Sequence, residues 1–196
     1  MNPLHTEARA AMLRLSTGAI ADGADPERIL PQPLSESERT LADAWAARAR
    51  DPRELAAGPL EARLAAIPLR HPLGTDAARL RVQGRLASGD PALVKDAVEL
   101  ANATLGNRGD PSSILLIAET AAAAGDPVTV LKTLAELAEE IDARRSSSRA
   151  LLVRARELAR ATPADDPNLY WQRSDTLRKL GVAAARPPGA MERMAR

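Results

Sequence analysis

The chain has no cysteine and no phenylalanine, and its 196 residues include two tryptophans, one tyrosine and two histidines. Each shortage closes a class of chemistry or architecture. Without cysteine there is no disulfide, no thiol nucleophile and no cysteine-ligated metal, and the redox compartment stays open. Valine, isoleucine and the aromatics together number 16, too few of the residues that fill a large sheet. No apolar run approaches the roughly 18 residues of a membrane helix. Glu7, Arg9 and Arg14 interrupt what would have to be the apolar core of a secretory signal. A cytoplasmic protein without membrane insertion is the expectation. Lysine is scarce too, three against 24 arginines, a bias that matches the codon usage of a GC-rich bacterial genome.

What the chain has is 41 alanines and 27 leucines. These are strong helix formers, as are arginine and glutamate, and a chain of this length buries a core without covalent staples. The composition predicts an all-α fold. Charge is nearly balanced overall but not along the chain. Residues 1–140 carry 15 basic and 20 acidic side chains, net −5, and residues 141–196 carry 12 and 6, net +6. A basic third of this kind suits an anionic partner, the acidic part of the same chain, or a second copy of it.

Six of the fifteen prolines follow an aspartate, at Asp25-Pro26, Asp51-Pro52, Asp90-Pro91, Asp110-Pro111, Asp126-Pro127 and Asp166-Pro167. Aspartate at an N-cap accepts a hydrogen bond from a free backbone N–H, and proline in the first turn has no N–H to leave unpaired. Gly89, Gly109 and Gly125 precede three of these pairs and can take the left-handed conformation that ends a helix. The spacing predicts helices over 4–16, 35–50, 52–67 with a break near Pro59, 75–88, 91–106, 111–124, 127–143, 147–161 and 167–180. Residues 17–34, rich in glycine and proline, read as a flexible arm within an N-terminal segment 1–58. Helical hairpins are expected over 59–162, a capping helix over 163–184 and a disordered tail over 185–196.

An internal repeat orders the middle of the chain. Gly89-Asp90-Pro91 recurs 36 residues later as Gly125-Asp126-Pro127, and Leu115-Leu116-Ile117 recurs at the same interval as Leu151-Leu152-Val153. Two helices per 36 residues is a helical-hairpin repeat, in which each unit buries its apolar face on its neighbour. From Pro111 to Asp142 the segment resembles a tetratricopeptide repeat. Ile114, Ile117, Ala118 and Ala121 fall at the signature positions of that family's first helix, Gly125 and Asp126 at its turn, and Val130, Leu134 and Leu137 in its second helix. Leu80, Gly84 and Ala87 extend the similarity to 76–106, and Leu69 to Pro72 supply a proline-ended lead-in. Ile114 and Leu134 stand where the family has aromatics. The similarity covers residues 69–162 and implies stacked antiparallel hairpins, an α-solenoid, with extra N-terminal helices and a C-terminal cap.

The resemblance also implies a concave groove, lined by the first helices of successive hairpins, that takes an extended peptide or a partner helix. On that footing Arg81 and Arg85 face the groove in one hairpin, Leu115, Leu116 and Glu119 in the next, and Leu151, Leu152 and Ala155 in the third. The arginines would suit an acidic side chain or a free C-terminus. Tyr170, Trp171 and Trp45 each have two readings, as residues of a packed helix or as aromatic anchors for a partner.

Catalytic patterns are sparse. His5 and His71 lie near a terminus and in a connection, adjacent acidic pairs such as Glu139-Glu140 diverge on a helix, and no metal, phosphate-loop or nucleophile-elbow motif is present. No cofactor is expected. Arg144 to Arg149 surrounds three serines and reads as a helix connection with an N-cap sooner than as a kinase site. The function expected is binding of another protein or an extended peptide, as an adaptor, scaffold or chaperone; the resemblance extends this to bacterial secretion or envelope assembly. A nucleic-acid binder using the basic C-terminal third, or a helical enzyme without a recognisable motif, are the competing classes. With almost no aromatic interleaving, base stacking on single strands is disfavoured.

Overall fold

A computed structural model of the chain describes residues 3–28, 33–106, 110–141 and 146–185. Among them the fold is all-α, with no strand. The helices are α1 (Pro3–Leu15), α2 (Thr17–Ala21), α3 (Glu36–Arg50), α4 (Gly58–Ala65), α5 (Gly74–Ser88), α6 (Pro91–Leu105), α7 (Pro111–Ala123), α8 (Pro127–Glu140), α9 (Ser146–Ala161) and α10 (Pro167–Ala185). Short 3-10 turns occupy Pro26–Arg28 and Pro52–Leu55.

Every Asp-Pro pair opens a helical element. The aspartate carboxylates accept from the amides of Glu27, Arg53, Ala92, Ser113 and Thr129, and Asp166 accepts from both Asn168 and Leu169. Such caps satisfy donors that no preceding helical carbonyl can reach. Gly89 and Gly125 have φ of 69° and 74°, the left-handed conformation that lets α5 turn into α6 and α7 into α8 within two or three residues.

The described part of 17–34, residues 17–28 with 33 and 34, differs from a flexible arm. Thr17–Ala21 is helical, and Ile20 and Leu34 are buried in the same core as Leu13, Leu41 and Trp45. Two apolar residues anchor a segment whose glycines and prolines suggest only a connection. The expected tail over 185–196 lies outside the described residues except for Ala185, the last residue of α10. Also outside them are Arg144 and Arg145, together with the side chains of the three serines that follow.

The chain divides into two compact units, Met1–Leu105 and Gly106–Arg196. The division falls inside the expected 59–162 array, so the α5–α6 and α7–α8 hairpins belong to different units. In the first unit α3 is central and packs on α1, α2, α4, α5 and the 52–55 turn, and α6 lies along α5. Its core joins Leu13, Leu41, Trp45, Leu55, Leu64, Leu73 and Leu80. A buried ion pair ties α1 to α3: Arg9 donates from Nε and Nη2 to the Glu38 carboxylate at 2.8 and 2.9 Å.

In the second unit α7 and α8 form a hairpin, α9 packs on both, and α10 packs on α8 and α9. Ile114, Ala118, Leu134, Leu137, Leu152, Ala155 and Leu180 meet in its core. Thr176 on α10 donates to the Leu131 carbonyl of α8 at 3.3 Å in a buried position, which fixes the rotation of α10 about its axis. Thr176→Val keeps the shape and removes that bond. It should destabilise the second unit by about 1 kcal/mol, read as a lower urea midpoint with an unchanged slope.

Candidate partner-binding surface

The residues expected to line a groove divide between the two units, and in each they have intramolecular partners. Arg81 and Arg85 project from α5 one turn apart, toward Glu61 on α4. Both guanidiniums donate to the same Glu61 oxygen, at 2.9 and 3.0 Å, and all three side chains are between 16% and 20% exposed. The carboxylate anticipated from a partner is supplied by the chain itself. In the second unit Leu115, Leu116, Leu152 and Ala155 are buried and Leu151 is half-buried. Leu115, Leu152 and Ala155 belong to the core, because α9 covers the face of α7 that a groove would leave open. Glu119 closes that face by accepting from Arg154 of α9 at 2.8 Å.

The aromatics separate cleanly. Trp45 is 5% exposed and sits in the core of the first unit, so it is a packing residue and not an anchor. Tyr170 and Trp171 are 50% and 70% exposed on α10. The inward stripe of that helix is Leu169, Arg173, Thr176, Leu177 and Leu180; Tyr170 stands to its side and Trp171 on the opposite face. Their rings meet edge to face, with centroids 5.7 Å apart and planes at 79°, an arrangement favoured by the ring quadrupoles. The Arg173 guanidinium lies 6.0 Å from the Tyr170 centroid and donates to the Thr162 carbonyl at 3.2 Å. That carbonyl follows the last turn of α9, where a cation is favoured. Arg173 thereby bridges the Tyr170 ring and the end of α9.

Thr162 is also part of a cavity of about 300 Å³ between the α7–α8 turn and the end of α9. Its walls are Ala122, Pro127, Val130, Leu158, Ala161 and Pro163, with Asp126 and Thr162 as the polar side chains. The cavity exists because Ala122, Gly125 and Ala161 are small where the two helix ends diverge. Thr162 turns its hydroxyl to the Leu158 carbonyl at 2.8 Å, leaving the walls apolar. Hydrogen bonds from the Thr129 hydroxyl and amide hold the Asp126 carboxyl below the usual carboxylate range, against a rise from burial. The second unit therefore carries an exposed aromatic pair and an apolar recess, linked through Arg173 and Thr162, with Asp126 at the recess.

Five of the twelve cations in the basic third have internal partners. Arg154 bonds Glu119, Arg156 donates to the Leu180 carbonyl, Arg173 to Thr162, Arg178 to Asp175, and Lys179 reaches Glu139. His71 accepts the Leu73 amide at Nδ1, a loop-shaping contact. Among the described residues no three His, Asp or Glu side chains gather as metal ligands would, and no helix is long and apolar enough to cross a membrane. Comparison of the chain with protein-family models, with curated proteins and with solved structures finds no match in any of the three.

Proposed function

We propose that this chain acts by binding another protein, as an adaptor or scaffold, and that α10 presents the docking surface. The single observation that carries this is the Tyr170–Trp171 pair, 50% and 70% exposed on a helix whose other face is anchored in the core. Tryptophan, tyrosine and arginine are the residues that concentrate binding energy at interfaces, because they bury much surface at small entropic cost. Here all three adjoin. The α7–α8 hairpin and α9 of the same unit supply the support against which α10 packs. A cytoplasmic location and a role in bacterial assembly or secretion go with the tetratricopeptide resemblance of the sequence as analogy.

Engagement by a long phosphate backbone is the less favoured reading, since Arg154, Arg156, Arg173, Arg178 and Lys179 already have internal partners. The test is affinity capture from host extract with the native chain and with Tyr170→Ala/Trp171→Ala, identified by mass spectrometry. A specific partner should be retained at least tenfold less by the double variant, while Arg81→Glu/Arg85→Glu variants that remain folded retain it. Equal capture by the native and aromatic-free chains overturns the α10 surface.

A further inference from the structure

We propose that the occupant of this surface is a second copy of the same chain, with Trp171 of each copy seated in the apolar recess of the other. The proposal rests on the α10 docking reading and names its partner. Two-fold dimers use one patch on both subunits, so a patch that dimerises must carry both a projection and its receptacle. This one does. Trp171 projects from α10, and the recess lined by Ala122, Leu158 and Ala161 belongs to the same unit. A continuous set of contacts links the two: Trp171 to Tyr170, Tyr170 to Arg173, Arg173 to Thr162, and Thr162 into the recess wall.

The recess has apolar walls and room for one large side chain. Its own Trp171, 70% exposed, does not fill it. Charge follows the same two-fold logic. Asp126 lines the recess, and the exposed Asp165 and Asp166 follow Pro163 by two and three residues. Arg173 accompanies the aromatics on α10. Asp165, exposed, and Arg173 are thus opposite charges on one unit, which a two-fold can set against each other twice over. Such a pair is self-limiting, since each copy uses its projection and its receptacle once.

Sedimentation velocity on the full chain tests this. The native protein should move from 20.8 kDa toward twice that mass as its concentration rises to about 100 µM, the weak end of specific association. Trp171→Ala removes the projection and Ala161→Leu fills the receptacle. Each should weaken dimerisation at least tenfold while helical circular dichroism stays native. An equimolar mixture of the two variants should associate more tightly than either alone, because the mixed pair keeps one intact Trp171-in-recess contact. A dimer formed by other surfaces gives no such complementation.

A native chain that stays monomeric, or variants that dimerise as the native chain does, overturns the second copy as occupant. If the chain is monomeric and the aromatic double variant still loses a captured partner, the docking surface stands with a different protein on it. If the chain is monomeric and capture is also unaffected, both readings fall.

Discussion

Gly84→Ala should destabilise the first unit by about 2 kcal/mol even though alanine is the better helix former. Gly84 lies within α5 where that helix crosses the Pro52–Leu55 turn. A Cβ at this position would stand 2.5 Å from the Leu55 Cβ, 2.6 Å from the Leu55 carbonyl carbon and 2.9 Å from the Ala56 nitrogen. Two of those atoms are backbone and cannot rotate away. Replacing glycine in a helix interior gains about 1 kcal/mol, whereas forcing a methyl into a packed contact costs about 1–3 kcal/mol and occasionally more. Here the turn must move bodily, which places the cost at the upper end.

The expected shift in the melting temperature of this unit is about 10 °C downward, followed through Trp45 fluorescence. Gly181→Ala is the matched control, a helical glycine of α10 with nothing within 4 Å of the added methyl. It should stabilise the second unit by about 0.4–1 kcal/mol. A Gly84→Ala variant as stable as the native chain would mean that α5 and the turn are not in contact.

Gly84 shows which parts of the fold were legible in the sequence. The sequence resemblance singles out Gly84, but the backbone it must clear lies 29 residues earlier and leaves no local sign. The helix starts were legible because an Asp-Pro pair acts within its own turn: the carboxylate caps amides two or three residues on, and no distant contact is needed. The hairpin turns were legible for the same reason at Gly89 and Gly125. Ile20 and Leu34 were not, since single apolar residues among glycines and prolines have no period to betray them. Their burial comes from the surface that α1 and α3 present.

The candidate docking surface was half legible. Trp45 sits among Leu41, Ala42, Ala44 and Ala47, all buried, and that apolar neighbourhood marks a core face. Trp171 is followed by Gln172, Ser174 and Asp175, a polar run that marks an outward one. The distinction lies in the neighbours on both sides of each tryptophan, not in the tryptophan itself. The Arg81–Glu61–Arg85 cluster was illegible. Charges 20 and 24 residues apart are joined by the path of α4, and neither helix carries a local sign of it. The recess between the α7–α8 turn and α9 was illegible too, because an absence of side-chain volume becomes a cavity only once the surrounding helices are in place.

Glu38→Ala should have the largest effect of any single change considered, a loss of about 3–5 kcal/mol from the first unit. The Glu38 side chain is 6% exposed and that of Arg9 is 11% exposed. The carboxylate accepts two bonds from Arg9 and one from the Ser35 amide at 2.8 Å. Truncation leaves Arg9 buried with only the Pro33 carbonyl, at 3.1 Å. Its Nη1 already lacks a hydrogen-bond partner, so no spare acceptor stands ready to take the charge. Ser35 would also lose half of its capping box at the start of α3.

Burial pushes the Glu38 carboxyl up, but the bonds from Arg9 and Ser35 and the Arg9 charge together hold it below its ordinary value. A carboxyl depressed in the folded state binds its proton more readily when unfolded. Its contribution is therefore complete above the unfolded value, about 4.3, and is lost as pH falls through the lower folded value. The native chain should lose stability across that acid window, and Glu38→Gln should show less of the loss. Replacing both partners separates the pair's geometry from its charge. Arg9→Met with Glu38→Leu removes the stranded cation and fills the same space, and should recover most of what Glu38→Ala loses. Recovery in urea denaturation, with the acid dependence reduced, would identify the unpaired guanidinium as the source of the loss. A double variant no better than Glu38→Ala would instead place the loss in the cap of α3.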